Sequence, residues 1–165
     1  MNKRLQQATI CLLRREDEVL LAIKKRGFGV GKWNGVGGKV KEEETVEQAV
    51  IRETQEEIGV TPVGMEQVAV LNFRFPDVSK EKDWDQQVIV FTTDKWKGEP
   101  VESEEMLPKW FEVSDIPYDQ MWPGDIYWMP KVLSGQKIEG RFTFSGEEEL
   151  REHQIKEVAL DSDRW

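Results

Sequence analysis

The stretch TVEQAVIRETQEEIG, residues 45–59, constrains this chain more than any other. Thr45 and Gln48 have the spacing of a capping box, and Gly59 is placed to end a helix. A helix is therefore expected from about Thr45 to Ile58. At about 100° per residue, Val46, Ala49 and Val50 share one face with Glu53 and Glu57, and Glu56 stands beside them. Carboxylates on an apolar face are costly unless something compensates them. Two readings follow. A divalent cation sits among them, for which oxygen-only ligands favour Mg²⁺ or Mn²⁺, or the helix is rolled and the glutamates lie at a solvated rim.

The rest of the chain supplies a sheet for that helix. ATICLL and EVLLAIKK read as strands joined by the polar turn RRED. A glycine-rich loop, RGFGVGKWNGVGGK, leads into the helix. EQVAVLNFRF and QQVIVFTTDKW read as a strand pair with the polar connection PDVSKEKDWD, and LPKWFEV as a further strand. DIYWMPKVL reads as a second helix ending at Gly135, and GRFTFSG and REHQIKEVAL as closing strands. Strands and helices in this mixed order predict an α/β (α+β) sandwich with a mixed sheet, built as one domain over residues 1–165.

Charge and cysteine content narrow the partners. The net charge is −9, which argues against a nucleic-acid polymer but not against a small anion carried by metal ions. Cys11 is the only cysteine, so no internal disulfide forms, and it reads as a small buried hydrophobe in a reducing compartment. The N-terminal apolar run ends at Leu13, too short for a signal peptide or a membrane span. A cytoplasmic monomer with no membrane contact is expected. His153 lies between charged residues and reads as solvated.

The glycine loop fits neither common nucleotide motif. A third glycine is missing from the dinucleotide pattern. Gly31-Lys32 and Gly38-Lys39 are followed by Trp33 and Val40 rather than Ser or Thr. The glycine spacing continues into the helix instead. Gly38, Glu44, Arg52, Glu53, Glu56, Glu57 and Gly59 resemble the signature of the Nudix hydrolases, with Val60 as the aliphatic residue after it. Thr54 stands where that pattern usually has a bulky aliphatic residue.

The resemblance implies an α/β/α sandwich with a curved mixed sheet. It also implies Mg²⁺- or Mn²⁺-dependent hydrolysis of a nucleoside diphosphate linked to another group. KKRGFGVGKWNGVGGKV, GEPVESEEMLPKWFEV and DQMWPGDIYWMP further resemble a branch of the family that converts oxidised purine nucleoside triphosphates, 8-oxo-dGTP among them, to monophosphate and pyrophosphate. Another nucleotide substrate, or a non-catalytic nucleotide sensor, are the alternatives.

Roles follow residue by residue from that resemblance. Glu53, Glu56, Glu57, Glu105 and the Gly37 carbonyl match metal ligands, with Glu53 or Glu57 as the general base. The bland reading of Glu105 is a solvated charge in an acidic loop beside Glu102 and Glu104, and its position within the likeness favours the metal site. Glu44 and Arg52 position the helix. Lys24 and Lys39 are expected to meet phosphates, although Lys24 reads nearly as well as a solvated stem, and Thr9, Gly37 and Gly38 are further expected substrate-binding positions. Phe28, Asn34, Phe73, Phe75, Met106, Trp122, Asp125 and Trp128 match the base pocket. The bland readings are core packing for Phe73, Phe75, Met106 and Trp128, a turn for Asn34, and a helix N-cap for Asp125. Gly124 departs from the pattern, which has a second aspartate there. An aspartate at 124 is accordingly expected to broaden base recognition.

Overall fold

The computed structural model describes residues 5–27 and 29–158. β1 (Gln6–Arg15) and β2 (Glu18–Lys24) form the first hairpin, and β3 (Trp33–Asn34) follows in the glycine loop. Helix α1 spans Val46–Ile58. Next come β4 (Thr61–Val63), β5 (Glu66–Arg74), β6 (Gln86–Thr93), β7 (Lys95–Lys97) and β8 (Met106–Glu112). Helix α2 (Asp125–Leu133) precedes β9 (Ile138–Ser145) and β10 (Glu149–Glu157).

One eight-stranded sheet runs β10-β9-β5-β6-β1-β2-β3, with β8 on β2. It is mixed: β1 with β6 and β5 with β9 are parallel, and the other pairs are antiparallel. β1 and β2 pair only next to their turn, at Arg14–Val19 and Arg15–Glu18. Beyond that they part, and the segment Val36–Lys39 enters the opening. The Thr9 N–H donates to Gly38 O at 2.8 Å, and the Cys11 N–H to Val36 O at 2.6 Å.

Both faces of the sheet are covered, which explains the unbroken apolar run in β1. Cys11 and Leu13 join Val50 and Ile58 in the core under α1. Ile10 and Leu12 join Trp128, Met129 and Val132 in the core under α2. Helix α1 is capped as its sequence predicts. The Thr45 hydroxyl accepts from the Gln48 N–H, the Gln48 side chain returns the bond, and Gly59 sits at φ 73°. Burial pushes the Cys11 thiol up to about 12, so it is inert, and the Thr54 hydroxyl is its neighbour. Thr54 keeps its own hydroxyl satisfied on Val50 O at 2.7 Å, which lets a polar residue stand at this buried position.

Some elements depart from expectation. QQVIVFTTDKW is two strands, because Asp94 turns the chain and Lys95–Lys97 pairs with β4. β3 and β4 are too short to leave a periodic signal. The last strand begins at Glu149, and the Ala159 and Leu160 of its expected span lie outside the described residues. His153 is exposed, yet its ring stacks on Tyr127 at 4.0 Å between centroids. Among the described residues no helix is long and apolar enough to cross a membrane.

Candidate active site

A cavity of about 510 Å³ opens where β1 and β2 separate. Its floor is the Gly37–Lys39 segment lying against β1. A Cβ on Gly37 would come within 1.8 Å of Thr9 O, so only glycine allows this approach. A Cβ on Gly38 would meet the Glu53 carboxyl carbon at 2.4 Å. The paired glycines thus let the loop press on β1 from one side and on α1 from the other.

Arg52 organises the helix carboxylates. Its guanidinium donates to Glu44 at 2.6 and 3.0 Å, to Glu53 at 2.8 Å, to Glu56 at 3.2 Å and to Lys39 O at 3.1 Å. This fork holds the Glu44 carboxyl down at about 2, helped by the Lys41 N–H, and raises the Arg52 pKa in return. Glu44 and Arg52 therefore tie the loop to the helix.

Glu57 is the glutamate of α1 that lines the cavity. Burial pushes it up to about 8, and the charge of Glu53 adds to that, while the Gly37 N–H and Lys24 pull the other way. Its Oε2 is buried without a hydrogen-bond partner. Glu105 also raises it, so that charge reaches the same place. The Glu105 side chain itself turns to Arg26 at 3.3 Å and is more than half exposed. Among the described residues no three acidic, His or Cys side chains converge closely enough to form a ready cluster. The reason is Arg52, which draws Glu53 and Glu56 sideways, and Arg26, which draws Glu105. The donors still suit a hard divalent cation. They are all oxygens, and the orphaned Glu57 Oε2 is a buried carboxylate oxygen without a hydrogen-bond partner.

The other end of the cavity is aromatic. Asn34, Phe73, Met106, Trp122, Asp125 and Trp128 line it, and Thr9, Lys24, Gly37, Gly38 and Lys39 line the end near Glu57. Phe28 lies outside the described residues. Phe75 does not reach the cavity. It stacks at 4.7 Å on Phe144, which does.

Asp125 is not a helix cap. Gly124 holds the N-cap position of α2 without a side-chain bond, and Asp125 is the first helical residue. Its Oδ1 accepts from the Trp128 indole N–H at 2.9 Å, and its Oδ2 is buried with no partner. Burial pushes Asp125 up to about 7 against the pull of Trp128 and the Trp122 backbone. Asn34 lies in β3 opposite Ala22 rather than in a turn. Its Oδ1 accepts from the Gly35 N–H at 2.8 Å, which leaves its amide N–H groups for the cavity.

Sequence reasoning missed Lys32, Lys82, Trp84, Gln86 and Phe144, all of which line the cavity. Lys32 stands 5.2 Å from the Trp122 ring and 3.7 Å from Glu148. Lys24, Lys32, Lys39 and Lys82 bring positive charge to the cavity wall beside Glu57, Asp83 and Asp125. Only its position beside Trp33 and Asn34 hinted at Lys32.

Residues 4–132 match the family model described as the NUDIX domain. The chain belongs to the Nudix family. It is 43% identical over 150 residues to the oxidized purine nucleoside triphosphate hydrolase of Danio rerio, covering 91% of this chain and 94% of that protein. With the protein of the same name from Mus musculus it shares 40% over 150 residues, at the same coverage. The crystal structure of the mutator MutT protein from Bacillus halodurans superposes with a TM-score of 0.77, covering 92% of this chain and 98% of that one at 24% identity. That likeness bears on the fold, which is the Nudix sandwich with its curved mixed sheet. As a Nudix hydrolase the chain is an enzyme for small nucleotide substrates, and such hydrolases generally need divalent cations.

Proposed function

We propose that the chain, acting as one domain, hydrolyses oxidised purine nucleoside triphosphates, 8-oxo-dGTP foremost, to monophosphate and pyrophosphate. The carrying observation is that one cavity joins a carboxylate and lysine end to an aromatic end holding a buried, half-satisfied aspartate. The names of the zebrafish and mouse relatives support the same substrate class.

Mg²⁺, held by Glu53, Glu56, Glu57, Glu105 and the Gly37 carbonyl, would neutralise phosphate charge and lower the pKa of the attacking water. Lys24 and Lys39 reach the phosphates. Glu57 takes the water proton in this reading, because it is the glutamate of α1 that lines the cavity and Arg52 does not bind it. Glu53, bound to Arg52 beneath Gly38, instead holds its neighbour's charge in place. At the aromatic end Trp122 offers a stacking plane and Asn34 donates to the base edge. Asp125 titrates near neutral pH, so its Oδ2 can accept from purine N–H groups or donate to a ring nitrogen.

The test is a panel of 8-oxo-dGTP, 2-oxo-dATP, the ordinary dNTPs, a dinucleotide and a nucleotide sugar with Mg²⁺, with products separated by ion exchange. Monophosphate and pyrophosphate from 8-oxo-dGTP, at the highest kcat/KM of the panel, is the expected result. Preference for another nucleotide replaces the substrate, and binding without turnover makes the chain a sensor.

A further inference from the structure

The connection between β5 and β6 looks in sequence like a solvated loop, yet it brings Lys82, Asp83 and Trp84 to the cavity wall. It is fastened along its length. The Phe75 N–H donates to Asp85 Oδ1 at 2.7 Å, and the Gly146 N–H donates to Asp77 Oδ2 at 2.9 Å. Between them Ser79 opens a single helical turn over Lys80–Lys82 by accepting from the Glu81 N–H at 3.3 Å.

Trp84 is placed by Phe75 and Lys82. Its ring meets Phe75 at 5.4 Å and 88°, and Phe75 is itself stacked on Phe144. The Lys82 ammonium stands 5.6 Å from the Trp84 ring. Lys82 is in turn paired with Glu147 at 3.4 Å, in the turn between β9 and β10. The neighbouring Glu148 holds Lys32, which stands by Trp122. One acidic turn thus steadies two lysine–tryptophan pairs that both border the cavity.

Trp84 also borders a second cavity of about 250 Å³. The indole is a partition between two spaces rather than a plug in the core. The residue keeps its contacts to Phe75 and Lys82 while it borders both spaces, so it stands where a ligand in the larger cavity meets it.

We propose that Trp84 is a second base-contacting residue, adding an aromatic surface to that of Trp122, with Lys82 and Glu147 as its positioning residues. The inference rests on reading the cavity as a nucleotide site. Stacking on an aromatic ring favours every purine alike, so Trp84 contributes affinity, while discrimination stays with Asp125 and Asn34.

The experiment is calorimetric binding of 8-oxo-dGMP and dGMP, with KM and kcat for 8-oxo-dGTP, on Trp84→Phe, Trp84→Leu, Trp84→Ala and Glu147→Gln. Trp84→Ala and Trp84→Leu should raise both dissociation constants and KM by about 5- to 150-fold, with kcat little changed. Trp84→Phe should restore most of the loss. Glu147→Gln should weaken binding by about 5-fold at most at low salt, and wild type should fall to meet it at high salt. Trp84→Leu keeps apolar bulk, so the comparison stands even where alanine harms folding. If the leucine and alanine variants bind as wild type does and only melt lower, Trp84 is a structural partition and the proposal is overturned. Failure of wild type to bind either nucleotide would instead remove the nucleotide reading beneath it.

Discussion

The two ends of the cavity each hold a carboxyl group raised towards neutral pH, and they are raised for different reasons. Glu57 is pushed up by burial and by the like charge of Glu53. Asp125 is pushed up by burial, with a tryptophan indole already bound to one oxygen. The first needs positive charge and the second needs hydrogen-bond partners. The same direction of shift therefore marks two kinds of ligand chemistry, and only the neighbours tell them apart.

The largest effect should come from Glu57→Gln, which removes the charge and keeps the shape. Turnover should fall by about 10²-fold or more for every nucleotide, with the ratio between nucleotides unchanged. The melting temperature in chelator should hold or rise, because a strained carboxylate has gone. Equal turnover by the folded variant would show that the charged end lies elsewhere.

Asp125→Ala should act on one class of base. A hydrogen bond to a charged group contributes about 1.5–3 kcal/mol, so kcat/KM for 8-oxo-dGTP should drop by about 10- to 150-fold. The rate for dGTP should change less. Unchanged ratios would mean that Asp125 serves only Trp128.

Gly124→Asp should cost stability rather than widen recognition. A Cβ at Gly124 would lie 2.9 Å from the ring of Phe142, which is fully buried. The expectation that an aspartate here restores a second carboxylate overlooks that ring. Overpacking of this kind costs about 1–3 kcal/mol, read by chemical denaturation, and activity on 2-oxo-dATP should not increase. A stable variant with new 2-oxo-dATP activity would show that Phe142 yields.

The last effect is a change in pH dependence. The folded-state pKa of Asp125, about 7, lies above its ordinary 3.8, so folding takes up a proton between those values. Stability present at acid pH is lost as pH rises through 7. Asp125→Asn should therefore gain on wild type across that window, by at most about 4 kcal/mol, in urea melts taken at intervals from about pH 4 to 8. Parallel curves would place Asp125 in contact with solvent.

The carboxylate end of the cavity was legible because it is local. Gly37, Gly38, Arg52, Glu53 and Glu57 sit close in sequence, so helix periodicity and spacing carry their geometry. The base end was less so. Asn34, Trp84, Trp122 and Asp125 come from four distant segments, and no period links them. For Asp125 the local pattern misled, because Gly124 takes the cap and frees the carboxylate for Trp128. Trp84 was hidden because a polar loop composition says nothing about which side chain turns inward. The sheet was read in its long strands and lost in β3, β4 and β7, whose pairing is set by partners far along the chain.

The floor of the cavity borrows its rigidity from β1. Thr9 and Cys11 hold the Val36–Lys39 segment by their own backbone amides, with Gly37 in closer touch than any other residue type allows. Little slack remains for that segment to fray while the sheet stays intact. Loss of activity on heating and loss of the central strand should then be one event, and a variant that protects β1 against unfolding lengthens the working life of the enzyme as well.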